Sequence, residues 1–219
     1  MTSRLEAAPS EQRAWWLRAL LVLQAPRAVF AAVREESPES LEARQEPLTA
    51  VVILAGIAWL LSTGTARTIL DDVNYDAVVV AVWAFVVGAL FGLASYWVVG
   101  GAVHLSARRL GSLGSYRRAR HIVGFAAVPI ALSIVLLPPL RIALYGGDIF
   151  REGGADDGVA GRALELLELG FVAWTLVLLV VGVRTVHGWT WRRATASVAL
   201  GLGGLAAITT VLLPLLRGG

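Results

Sequence analysis

The residues able to do chemistry gather at two short basic turns. His104, His121 and His187 are the chain's three imidazoles, and three imidazoles can hold Zn2+. No carboxylate or thiolate stands at ligand spacing beside them, and cysteine is absent, which removes thiolate ligands and thiol nucleophiles. His104 is therefore expected to hydrogen-bond within a helix seam. Asp71, Asp72 and Asp76, with Asp148, Asp156 and Asp157, offer oxygen ligands of the kind Ca2+ takes. Their loops lack the spacing of a calcium motif, and Gly-Asp runs favour solvated turns. Glu35-Glu36 resembles the paired glutamates of intramembrane proteases, but the pair lies in a polar linker with no histidine on a neighbouring helix face. Phosphate-loop, dinucleotide and nucleophile-elbow patterns are missing. No metal, cofactor or catalytic group is expected, and the chain does not read as an enzyme.

The arginines carry more information. Arg108, Arg109, Arg117, Arg118 and Arg120 fall within the stretch 100–129, and Arg184, Arg192 and Arg193 surround a second turn with Trp189 and Trp191. Beside Tyr116 and Trp191, such clusters attract anionic lipid headgroups at about 1 kcal/mol per charge. They also set topology. All 19 basic residues are Arg and none is Lys, which points to a GC-rich, bacterial genome. An isoelectric point near 9.9 would suggest nucleic acid in a soluble protein. Here the positions of the arginines account for it, and no nucleic-acid partner is expected.

Those positions follow from five apolar spans. With 57% apolar and 16% charged residues, the chain has runs that cover about 30 Å of hydrocarbon. They fall at about 48–65, 77–105, 122–137, 169–186 and 194–216. The expected fold is an all-α integral membrane protein, five transmembrane helices preceded by an N-terminal amphipathic segment. Residues 1–47 form a cytoplasmic region and 48–219 the transmembrane domain. Within 11–36, Trp15, Trp16, Leu20, Leu23, Val29, Phe30 and Val33 alternate with Arg13, Arg18, Arg27 and Arg34. Pro26 should divide this stretch into two short helices, which either lie in the membrane interface or pack on the protein's own surface. Residues 37–47 read as an acidic linker ending at Glu46-Pro47, with Pro47 opening the first span.

In the second span, Ala84, Gly88, Gly92, Tyr96, Gly100, His104 and Arg108 recur at steps of four. The small residues make a seam for another helix of the same chain, or of a second copy. Gly111 and Gly114 break the basic turn. Pro129 should kink the third span, and Pro138-Pro139 should end or bend it. Residues 146–164 read as a Gly- and Asp-rich loop. The first residues lack the pattern of a signal peptide, and no lipidation motif or glycosylation sequon is present.

With the N-terminus cytoplasmic, fourteen arginines lie inside and five outside. The positive-inside rule then predicts a cytoplasmic N-terminus and an extracytoplasmic C-terminus. Asp and Glu are absent from the middle of every span, where ion-coupled transporters keep ionisable groups.

Gly101, His104, Arg108-Arg109-Leu110-Gly111 and Gly114, followed by Gly124-Phe125 with Pro129, resemble the core of the Yip domain, the Ypt/Rab-GTPase-interacting protein family. Members look like H-x-x-(a/s)-R-x-x-G-x-x-G-s followed by a G-(Y/F)-x-x-x-P helix. Pro26 to Phe30 and Glu46-Pro47 resemble the bacterial branch, where an acidic-Pro pair replaces the Asp…Gly-Pro motif of eukaryotic members. The resemblance covers roughly 16–216. It implies a five-helix membrane domain with a cytosolic N-terminus, acting as a non-catalytic scaffold, adaptor or shaping protein. It further implies an ABC-type export complex as a partner, while a homo-oligomer is expected from the small-residue seam of the second span. The eukaryotic GTPase-binding role is not expected, because the longer cytosolic N-terminal region of those relatives is missing. The alternative is a transporter or permease subunit with a path between spans two, three and five, which requires a polar cavity reaching the midplane. An intramembrane enzyme would require convergent catalytic groups at the membrane surface.

Overall fold

In a computed structural model, the described residues are 14–35, 37–62, 77–145 and 158–217. They form helices α1 (14–21), α2 (Pro26–Ala32), α3 (Pro38–Ser62), α4 (Ala77–Arg109), α5 (Tyr116–Ala126), α6 (Val128–Tyr145), α7 (Val159–His187) and α8 (Trp191–Arg217). No strand occurs among the described residues. Five stretches are long and apolar enough to cross a membrane: Glu39–Ser62, Val82–Arg109, Tyr116–Tyr145, Val159–His187 and Trp191–Val211. The all-α fold with five spans is therefore present.

The five long helices close a cycle of contacts, α3 on α4, α4 on α8, α8 on α7, α7 on α6 and α6 back on α3. The short helix α5 enters this ring from one end and touches α3, α4, α6 and α7. Its Ile122 and Phe125 are completely buried, beside Val103 of α4 and Leu178 and Val183 of α7. The outer surface is apolar too. Trp83, Leu90 and Trp97 of α4 recur every seven residues, a spacing that keeps them on one helix face, and all three are exposed. An apolar exterior is the mark of a bundle whose solvent is lipid.

The N-terminal segment divides at Pro26, which takes the first position of α2 as its fixed φ allows. Of the two expected placements, packing on the protein's own surface is seen. Trp15, Ala19, Val22, Val29, Phe30 and Val33 are buried in the common core, while Trp16, Leu17, Leu20 and Leu21 face outward. Phe30 reaches the backbone of Gly182 in α7, where an added Cβ would lie 2.9 Å from its ring.

Residues 38–46, expected as a linker, are instead the first turns of α3, and Pro47 sits inside the helix rather than at its start. The stretch is rich in Glu, Leu, Ala, Arg and Gln, all good helix formers. It begins at Pro38 after Ser37, whose Oγ accepts the Ser40 N–H at 3.3 Å as an N-cap does. Pro47 cannot donate to the Ala43 carbonyl, but it is buried in the packed helix, which continues through it.

Pro129 acts two residues upstream. The helix is interrupted at Ala127, between α5 and α6, close to the Phe125 carbonyl that Pro129 cannot serve. Pro138-Pro139 do not end α6, which runs on to Tyr145. The loop expected over 146–164 is shorter at its C-terminal side, because Gly158 caps α7 and Ala160, Ala163 and Leu164 are helical. Asp71, Asp72, Asp76, Asp148, Asp156, Asp157 and Glu36 lie outside the described residues.

The seam of α4 is occupied by α3. An added Cβ on Gly88 would lie 2.6 Å from the Ile57 Cα, and Cβ atoms on Gly56 or Gly92 would collide with the facing backbone. The two helices thus touch main chain to main chain, as small residues permit.

Candidate functional site at the basic end

The chain gathers its arginines by crossing main-chain carbonyls with guanidinium groups. Arg34, just after α2, donates to the Thr185 carbonyl of α7. Arg118 of α5 donates to the Arg34 carbonyl at 3.0 Å. Arg193 of α8 donates to the Leu110 carbonyl in the loop after α4. The N-terminal segment and both basic turns therefore form one continuous end of the bundle, as the arginine distribution requires.

The turns themselves rest on glycine. Gly111 has φ +84° and Gly188, which caps α7, has φ +66°, a region other residues rarely adopt. Gly114 lies against His187, with its virtual Cβ 3.2 Å from Nε2. Leu113, at the tip between them, is fully exposed.

Arg44 is the anchor of this end, and it is completely buried. Its Nε donates to the Ser40 carbonyl at 2.9 Å, Nη1 to Val33 at 3.3 Å and Nη2 to Glu35 at 2.6 Å. It thus satisfies carbonyls at the C-terminal end of α2, where a cation is also favoured by the helix dipole. Its guanidinium lies 4.8 Å from the Trp15 ring centroid, and Arg18 lies 4.5 Å from the same ring.

A second cluster surrounds Arg120. Its guanidinium carbon is 3.5 Å from the Trp97 centroid, 5.1 Å from Tyr116 and 5.3 Å from Tyr96. Such contacts contribute about 0.5–2 kcal/mol each. Gly100 makes room for it, since an added Cβ would sit 2.5 Å from Arg120 Cγ. Tyr116 is held in turn, its hydroxyl donating to the Trp97 carbonyl at 2.8 Å. Beside this cluster lies a cleft of about 510 Å3 lined by Leu41, Glu42, Gln45, Trp97, Arg117 and Arg120.

The residues expected from sequence do not converge on one site. Gly88 and Gly92 are in the α3–α4 crossing, away from the basic end. Gly101 and His104 pack on Tyr116, Gly101 with a virtual Cβ 3.7 Å from the ring and His104 with centroids 5.7 Å apart. His104 makes this ring contact rather than the expected hydrogen bond in the seam. Arg108 and Arg109 are exposed in the last turn of α4, and Gly111 and Gly114 shape the loop that follows. Glu46 is exposed on α3, whereas Pro47 and Pro129 are buried. Among the described residues no group of three or more His, Cys, Asp or Glu could hold a metal ion.

Sequence reasoning missed Arg44, Trp97 and Glu42. The spacing of Ser40, Arg44 and Leu48 at steps of four, continuous with the first span, was the available signal for Arg44. The tyrosine and glycine that flank Arg120, Tyr96 and Gly100, stand in the same four-step series of α4, but nothing local ties them to a residue twenty positions away.

The Yip1 domain family model matches residues 20–213, nearly the whole chain. No curated protein matches the chain, and neither does any solved structure.

Proposed function

Because the chain belongs to the Yip1 domain family, we propose that it is a non-catalytic membrane scaffold or adaptor of a bacterial inner membrane, with its basic end as the contact surface. The observation that carries this reading is the joining of three separate segments into one face by Arg34, Arg118 and Arg193. Such a surface exposes Leu113 and Trp191 among arginines. An apolar side chain ringed by cations suits a protein partner better than free solvent. The partner classes it fits are a membrane export complex of the ABC type, a second copy of the chain, and anionic or zwitterionic lipid at the rim. The basic end faces the cytoplasm in this reading, which gives a cytoplasmic N-terminus and an extracytoplasmic C-terminus.

Photo-crosslinkers at Leu113 and Trp191 in native membranes, read by mass spectrometry, test the proposal. Recovery of a defined assembly makes the chain an accessory subunit, and recovery of the chain itself makes it a self-associating scaffold. Recovery of neither from either position overturns the scaffold reading.

A further inference from the structure

The cleft beside Arg120 holds charges of both signs that do not meet. Arg117 and Arg120 come from α5 and Glu42 from α3, and all three line the same space. Among the described residues, none of the three makes a hydrogen bond or an ion pair. The Arg120 Nε is buried with no partner. Its close contacts are with the rings of Trp97, Tyr116 and Tyr96, and among the described residues its N–H donors meet no oxygen acceptor. The three rings therefore hold Arg120 in place while its capacity to bind an anion is left unused. Glu42 and Gln45, facing it across the cleft from successive turns of α3, supply acceptors for a cation.

We propose that this cleft binds the headgroup of an amine-bearing zwitterionic phospholipid, with Arg117 and Arg120 on the phosphate and Glu42 on the ammonium group. The inference rests on the reading that the basic end lies at the membrane surface. Guanidinium recognises phosphate oxygens through paired N–H donors. A headgroup with phosphate alone would leave Glu42 beside an added negative charge, which selects against it. A quaternary ammonium would offer Glu42 no N–H. The acyl chains have a path, because Trp97 forms one wall of the cleft and continues into the exposed stripe of Leu90 and Trp83 on the same face of α4. That stripe favours a lipid over a soluble phosphoethanolamine compound.

Native mass spectrometry of the purified protein, with phosphatidylethanolamine and phosphatidylglycerol of matched chains, tests this. The wild type is expected to retain the ethanolamine lipid over the glycerol lipid by about threefold or more. Arg117→Gln should lower retention of the ethanolamine lipid by about tenfold. Glu42→Gln should keep total lipid retention and abolish the preference. Both residues are on the surface, so these variants should fold even where Arg120→Gln does not. Equal retention of the two lipids by the wild type, an unchanged preference in Glu42→Gln, or no retained lipid at all would each overturn the proposal. So would binding of glycerophosphoethanolamine as tight as that of the diacyl lipid. None of these outcomes bears on crosslinking from Leu113 and Trp191, so the scaffold reading stands or falls separately.

Discussion

The Arg44 guanidinium lies 4.8 Å from the Trp15 ring centroid, which couples the start of the chain to the first spanning helix. Arg44 supplies α2 with a cation at its carbonyl end and Trp15 with a lid. Replacing it with Met keeps the apolar stem but removes the side-chain donors to the carbonyls of Val33 and Glu35, which lie outside the helical ladder of α3. Arg44→Met should destabilise the protein by about 2–3 kcal/mol and expose residues 14–35 to protease in detergent. An unchanged melting temperature and unchanged cleavage would show that the N-terminal segment holds without it.

The α3–α4 crossing predicts an asymmetry among glycines. Gly92→Ala pushes a methyl group into the Val52 carbonyl, so the helices must separate, at a cost above about 2 kcal/mol. Gly204, on the open side of α8, has nothing within 4 Å of its virtual Cβ. Gly204→Ala should leave stability unchanged or raise it by up to about 1 kcal/mol. Thermal unfolding of the two variants decides the matter, and equal losses would refute the close approach.

Arg141 and Glu168 join α6 to α7 at 3.1 Å, with side chains 12% and 21% exposed. Glu168 precedes His187 by nineteen residues, so at 1.5 Å per residue it lies about 28 Å from the basic end. That distance is close to the thickness of a hydrocarbon core, about 30 Å, so a bilayer that begins at the basic end would leave the pair at its other edge. A double-mutant cycle with Arg141→Met and Glu168→Gln should return a coupling of about 1 kcal/mol. A coupling near zero would make the contact incidental.

Membrane sidedness can be read directly, because the natural chain has no cysteine. Leu113→Cys and Trp191→Cys should both resist an impermeant maleimide in intact cells and react in inverted vesicles. Labelling of either in intact cells would reverse the orientation.

The spans were legible because their signal is long and repetitive, and a run of apolar residues cannot easily mean anything else. The shared face of the two turns was legible for the same reason, through charge. Helix ends were less so. Pro47 looked like a first residue because proline usually is one, but the capped and helix-prone stretch from Pro38 outweighed it. The Arg120 cluster was invisible because Tyr96 and Trp97 reach it only once α5 has turned back into the ring. Gly100 showed its small size in the sequence, and only the fold shows that the space is filled by a guanidinium group. Arg44 was hidden by its neighbours, since an arginine among glutamates reads as solvated.

The contact between α4 and α8 carries a consequence in time. Gly201 seats against the Ala102 carbonyl, and Ser106 and Ser197 share a buried hydrogen bond of 3.2 Å across 91 residues of chain. At about 5–20 residues per second, synthesis needs on the order of 5 to 20 s to deliver that partner. Meanwhile α4 can already dock on α3, its immediate predecessor. The ring is thus a hairpin that waits, and its last-made helix is the one that shuts it.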